Sequence, residues 1–403
     1  MATITDYVQL ETREFTVYPF NEADALVYAL LSYGPIPQEI PLLAHIEQQY
    51  GTLGRRIRAF DWQHPIQSTR VLREVPYEGV RLRDLEHYQE FDKSIHELDR
   101  NEPTFVSEDV TEKFYKDTAL NPRFAVTQAS AVEMKFQTER AAQFAALTYR
   151  LPDGTLVVTY RGTDDTLVGW REDLDMSYSY PVPAQRMAAD YLERVAKLWN
   201  GPIILTGHSK GGNLAVYAAM NVSERTQNRI ERIFSLDGPG FPPTVAASRE
   251  YAAIVDRVTK VMPDSSIIGQ LLITPQREHR IIVRSNVTGL MQHSGFTWLM
   301  LGDHFDTVPS LTPSSKQFYE QINTWLQTHE PAHIERGVDA LFQVLGASGN
   351  TKPSQITSAG FTILPDMLTQ FAGLDSEDRR TIMQVMRLIA GAALAKNPEI
   401  ERS

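Results

Sequence analysis

A chain of 403 residues with 42% hydrophobic side chains can bury a sizeable core, as two or three domains or as one large domain with extensions. Its formal net charge of −11 disfavours non-specific nucleic-acid binding, which needs clustered Lys and Arg, and basic runs such as "GRRIRAF" at 54–60 are too short to change that. With no cysteine, disulfides, thiolate catalysis and cysteine-ligated metals are excluded.

In chain order, the N-terminal "MATITDYVQLETREFTVYPF" is polar and carries acids, without the basic start and apolar run of a signal peptide. "FNEADALVYALLSYGPIP" reads as a helix starting near Asn21 or Glu22 and ending at Gly34-Pro35. Residues 39–60 are expected to be helical. From 61 to about 120 the chain is charged, with Leu82, Leu85, Phe91 and Leu98 marking helices packed on something else. The pattern changes near 121, where "RFAVTQASAVEM", "QFAALTYRL" and "LVVTYRG" are β-rich, the last two joined by the turn "PDG". A helix over about 184–199 precedes the strand "PIILTG", a tight turn at Ser209 and a helix to about 222. "RIFSLDGPG", "DRVTKVMPD" and "HRIIVRSN" are further strands, and "FTWLM" is a short final strand or the loop before it. Helical periodicity returns from about 314, and "GASGNTKPSQITSAG" at 346–360 reads as a linker before a last amphipathic helix. Strands alternating with helices of this length predict an α/β fold with a mostly parallel central sheet covered on both faces. No apolar stretch approaches the ~18 residues of a membrane-spanning helix, so the expected location is cytoplasmic, with no integral membrane segment.

"GHSKG" fits G-x-S-x-G, the nucleophile elbow. Gly207 and Gly211 lack Cβ atoms, so a strand and a helix can approach closely around a strained serine. Ser209 is thereby raised above the sheet edge at the positive end of a helix dipole, and the Lys210 amide could supply half of an oxyanion hole. A phosphate loop is disfavoured, because the order Ser-Lys-Gly-Gly lacks the G-x-x-x-x-G-K-[ST] spacing.

"TGHSKGGNLAVYAA" resembles the Mbeg1-like family, a domain of unknown function within the α/β-hydrolase superfamily. "FNEADALVYALLSY", "LDGPGF", "PDSSIIGQLL" and "QHSGFTW" resemble further blocks of that family in the same order. "VVTYRGTDDTLVGWREDLDM" is also similar to the "RGT…W..D" stretch of class 3 lipases. The resemblance implies an α/β-hydrolase core over 121–313. Residues 1–120 form a helical N-terminal region that could share in a cap, and 314–403 a helical C-terminal region.

A serine hydroxyl needs a base, and the base an orienting acid. Chain order in this superfamily is serine, acid, histidine. The resemblance places the base at His293, with His304 as the competitor. Asp264, at the end of a strand on the Ser209 edge, is the favoured acid, and Asp237 in "SLDGPGF" the alternative, whose other role is to bond backbone amides in a turn. By the same resemblance the Thr163 amide completes the oxyanion hole, while Trp170, Glu172 and Asp173 hold its loop. His208 is expected to pack or hydrogen-bond rather than act as base.

The expected activity is serine ester hydrolysis, on a small-molecule or lipid ester, through an acyl-enzyme and with no cofactor or metal. A second reading is a non-catalytic binding or scaffolding module on the same fold. The segment 61–120 or the C-terminal helices are expected to cover the site. The sequence is silent on oligomeric state.

Overall fold

The structure is a computed structural model that describes residues 1–34, 36–85, 108–137, 142–163, 171, 174–346 and 370–394. Its main sheet has nine strands in the order β1-β2-β3-β4-β5-β6-β7-β8-β11. These are β1 (Val80–Arg81), β2 (Gln128–Gln137), β3 (Ala142–Arg150), β4 (Leu156–Tyr160), β5 (Ile203–His208), β6 (Ile230–Leu236), β7 (Val258–Pro263), β8 (His279–Val283) and β11 (Thr307–Val308). The central run β4–β8 is parallel, while β1–β4 and the β8/β11 pair are antiparallel. β9 (Met300–Leu301) and β10 (His304–Phe305) form a separate two-stranded ribbon. This is an α/β-hydrolase-like fold.

The strands divide their side chains between two cores with the period of two that a pleated sheet imposes. Val157, Ile204, Phe234 and Val261 enter one cluster, and Val158, Leu205, Ile233 and Val258 the other. Both faces are therefore covered, which is why β4 and β5 are buried at every position. The β3–β4 hairpin turns at Asp153-Gly154, where Gly154 takes φ 91° and the Asp153 carboxylate accepts from the Thr155 amide at 2.9 Å.

One face is covered by helices Pro183–Leu198 and Lys210–Asn221, the other by helix Glu22–Leu31. Asn21 caps that N-terminal helix, its Oδ1 accepting from the Ala23 and Asp24 amides at 2.8 and 3.0 Å. Every residue from Ala23 to Leu31 is buried. Asp24 lies among them and is satisfied by Arg123, with Nε and Nη2 donating at 2.8 and 2.5 Å, and by the Tyr7 hydroxyl at 2.9 Å. The run "RFAV" is thus not strand. Asn121 caps, Pro122 starts a helical turn over Pro122–Ala125, and the buried Arg123 side chain turns inward to Asp24.

Helices Pro313–Thr328, Pro331–Gly346 and Ser376–Leu394 pack together, and the last also meets the turn Gly289–His293. Residues 347–360 of the expected linker and 86–107 of the expected cover lie outside the described residues. Among the described residues no helix is long and apolar enough to cross a membrane.

Candidate active site

Ser209 sits between β5 and helix Lys210–Asn221 with φ 57° and ψ −131°, a conformation that costs a non-glycine residue about 1–3 kcal/mol. The surroundings enforce it. A Cβ on Gly207 would overlap the backbone of Gly211, so strand and helix touch at the turn. The Ser209 amide donates to the Leu236 carbonyl at 2.9 Å, fixing the corner to the end of β6. His208 pairs with Leu236 in the sheet, so the residues that follow, Ser209 and Asp237, leave adjacent strands side by side.

Asp237 is fully buried and also has positive φ, 48°. Its Oδ2 lies 2.6 Å from His293 Nδ1, and its Oδ1 accepts from Ser266 Oγ at 2.5 Å. The carboxylate that reaches His293 is therefore that of Asp237. The expected acid, Asp264, instead accepts from the hydroxyl of its neighbour Ser265 at 3.1 Å. The cause is strand order: Asp237 ends β6, next to β5, whereas Asp264 ends β7, one strand further out. The block "PDSSIIG" still serves the site, through its serines. Ser266 holds Asp237, and the Ser265 amide donates to Gln292 Oε1 at 3.1 Å, beside His293.

His293 closes a short helical turn, Gly289–His293. Gln292 Nε2 donates to the Val287 carbonyl at 2.9 Å, and the Gln292 carbonyl accepts from Trp298 Nε1 at 2.8 Å. The His293 carbonyl accepts from His208 Nε2 at 2.7 Å, and the two imidazoles lie 4.7 Å apart between centroids. His208 is buried, and desolvation, followed by repulsion from His293, pushes its imidazole down to about 3. His208 is thus neutral, as a hydrogen-bonding residue rather than a base. The side chain of His293 is 15% exposed and Ser209 7%. Among the described residues, neither Ser209 Oγ nor His293 Nε2 has a hydrogen-bond partner.

The other expected residues fall as follows. Lys210 opens the helix, and its Nζ runs away to donate to the Gln143 carbonyl at 3.1 Å. Thr163 follows Gly162, which faces the serine: a Cβ there would come within 3.1 Å of Ser209 Cβ. Trp170, Glu172 and Asp173 lie outside the described residues. The competing base His304 is exposed on β10, its Nδ1 3.0 Å from Asp303 Oδ1, so the structure does not bring it to the serine. Among the described residues no three His, Asp or Glu side chains gather as a metal site would need.

Sequence reasoning missed several polar anchors. Asn213, inside the helix after the serine, donates to the Pro239 and Gly240 carbonyls at 3.2 and 2.8 Å and accepts from Gln185 Nε2 at 2.8 Å. It pins the loop that follows Asp237. The available signal was a poor helix former in the middle of a helical run. Tyr33, whose hydroxyl meets His208 Nδ1 at 3.0 Å, carried no local signal.

The Mbeg1-like family model matches residues 118–343, more than half of the chain. The chain belongs to the Mbeg1-like family. Among solved structures this Mbeg1-like chain is similar to a Rhizomucor miehei lipase, a propeptide complex, at 14% identity and TM-score 0.31 over 43% of this chain and 58% of that one. M37 lipase is 15% identical at TM-score 0.31, covering 47% and 68% of the respective chains. A triacylglycerol lipase from Penicillium expansum is 13% identical at TM-score 0.27, over 45% and 81%. This chain therefore spans 58% of the Rhizomucor protein. At these TM-scores the likenesses carry no argument, and the fold class rests on the strand order above. No curated protein matches the sequence.

Proposed function

We propose that this Mbeg1-like protein is a serine hydrolase that cleaves carboxylic esters, of lipid or acyl type, with Ser209 as nucleophile, His293 as general base and Asp237 as the orienting acid. The observation that carries this reading is the 2.6 Å contact of Asp237 Oδ2 with His293 Nδ1, one strand from a serine held at positive φ. A carboxylate on Nδ1 fixes the tautomer that leaves Nε2 bare to take a proton. His293 Nε2 accepts the Ser209 proton as Oγ attacks the ester carbonyl. The bond between them forms in the substrate complex, as catalytic hydrogen bonds that are long in the free enzyme commonly do. The amides of Lys210, at the helix N-terminus, and of Thr163, beside Gly162, receive the oxyanion. Imidazolium then protonates the leaving alcohol, and water, deprotonated by His293, releases the acid from the acyl-enzyme. The ester preference is supported by the class 3 lipase-like "RGT" block, Arg161–Thr163, that follows β4.

The catalytic groups are largely covered, and the contact between helix Ser376–Leu394 and the turn Gly289–His293 supports a covering role for the C-terminal helices. The test is turnover of a p-nitrophenyl ester panel together with fluorophosphonate labelling. Wild type should turn over and be labelled on Ser209, and Ser209→Ala should do neither. Unlabelled, folded wild type would favour a non-catalytic binding module.

A further inference from the structure

We propose that Tyr33 and His208 are positioning residues that hold the backbone of His293 in register with Ser209, so that the N-terminal helical segment completes the site. This rests on the reading of His293 as general base. The argument begins with proton counting. A carbonyl oxygen only accepts, so the 2.7 Å contact between His208 Nε2 and the His293 carbonyl puts the proton on Nε2. In a neutral ring Nδ1 is then bare and needs a donor. Tyr33 is the side chain there, and its single hydroxyl proton is shared between Nδ1, at the shorter 3.0 Å, and the His208 carbonyl at 3.2 Å. Both residues are 2% exposed, so their polar atoms must find partners within the protein rather than in water.

The placement makes this more than filling. His208 immediately precedes the nucleophile, and the bond to His293 spans 85 residues of sequence. A phenylalanine or methionine could pack in the same space without needing a donor and an acceptor. The Tyr33 hydroxyl also lies where a Cβ on Gly162 would fall, so one oxygen abuts the β4 loop, the residue before the serine and, through His208, the base. Tyr33 lies outside the span matched by the family model.

The test uses the full chain with His208→Leu, His208→Gln and Tyr33→Phe. Histidine side-chain NMR reports tautomers without reference to activity. His208 is expected as the neutral Nε2–H form from pH 8 to pH 5, as the bonding pattern requires. In steady state on p-nitrophenyl butyrate, His208→Leu should lower kcat by about 100-fold with KM changed by less than about threefold, since misplacement by an ångström costs that much. Gln presents an amide N–H near the place of Nε2 and should recover about tenfold of that loss. Tyr33→Phe should lower kcat by about tenfold and shift the His208 resonances. An Nδ1–H or charged His208 at pH 6 would overturn the proposal. So would a folded Leu variant within about threefold of wild-type kcat, or a folded Gln variant no better than Leu. If Leu fails to fold, the Tyr33→Phe comparison decides. If wild type turns over no ester, the hydrolase reading fails alone, and the positioning bond is judged by whether His208→Leu moves the His293 resonances and Gln restores them.

Discussion

Asp237→Asn against Asp264→Asn separates two carboxylates that each end a strand on the same sheet edge. In the structure only Asp237 reaches His293, at 2.6 Å, and its second oxygen is held by the Ser266 hydroxyl. That hydroxyl donates to Oδ1, so an amide at 237 will keep its oxygen there and turn its NH2 toward His293. The NH2 donates to Nδ1, and the imidazole proton moves to Nε2, the nitrogen that should receive the serine proton. The base is then present in place but in the wrong tautomer. Such a swap costs about 10⁴ in kcat in the well-studied serine protease triad, equivalent to about 5 kcal/mol of transition-state stabilisation. We expect a fall of about 10³–10⁴ in kcat/KM on p-nitrophenyl butyrate for Asp237→Asn. Asp264→Asn, whose amide oxygen can still accept from the Ser265 hydroxyl, should stay within about fivefold of wild type. Thermal melts of both variants serve as the control for unfolding. Comparable losses from the two substitutions, or an Asp237→Asn enzyme within about tenfold of wild type, would refute the tautomer argument.

Three further outcomes are expected. Arg123→Met leaves the buried Asp24 carboxylate without its cation and should destabilise the fold by about 3–5 kcal/mol in urea titrations, with Asp24→Leu added on top recovering part of it. His208, pushed down to about 3 by burial and then by His293, takes up a proton near 6.5 once unfolded. The unfolded chain thus binds more protons between those values, so stability rises with pH there and is lost as pH falls below about 6.5. The loss from pH 7 to pH 5 is about 2 kcal/mol from this residue, and urea midpoints of His208→Gln should show it removed. Truncation before helix Ser376–Leu394, which meets the His293 turn, should raise the rate of fluorophosphonate labelling and shift acyl-chain preference. Unchanged rates on both counts would remove the covering role.

The elbow was legible because its chemistry is local. Two glycines flank a serine between a β-run and a helical run, and the backbone obeys them with φ 57° at Ser209. The central strands were legible because β4 and β5, buried at every position, open with the apolar runs Leu156-Val157-Val158 and Ile203-Ile204-Leu205. The carboxylate that meets His293 was not, because the choice depends on strand order. Asp237 and Asp264 both follow apolar runs, and only the pairing of His208 with Leu236 puts Asp237 at the serine's side. Neighbouring strands stand about 4.8 Å apart, so one extra strand is more than a carboxylate can bridge. Arg123 read as strand because its neighbours are apolar, while its partner Asp24 lies 99 residues away. Tyr33 was hidden for the same reason, its bond to His208 spanning 175 residues.

These long-range polar contacts share a physical logic. Asn213, Gln292, Ser266, His208 and Asp24 are all buried, and each is matched to partners from other elements. A buried polar group left unmatched costs about 1–3 kcal/mol, so each also penalises any packing in which its partner is displaced. Three of these contacts bear on His293 or Asp237, and Asn213 fixes the loop just beyond Asp237. The site is therefore specified by the fold's own satisfaction of hydrogen bonds, and single deletions within it should be strongly non-additive. The same reasoning bears on where the folding unit ends. The span 118–343 contains Ser209, Asp237 and His293, yet one face of its sheet, including Phe234, Val261 and Val283, is covered by helix Glu22–Leu31. Without the N-terminal helix that apolar face is open to water, Arg123 loses Asp24, and His208 loses the hydroxyl on Nδ1. The N-terminal segment thus shares its core and two buried polar contacts with the elements that carry Ser209, Asp237 and His293.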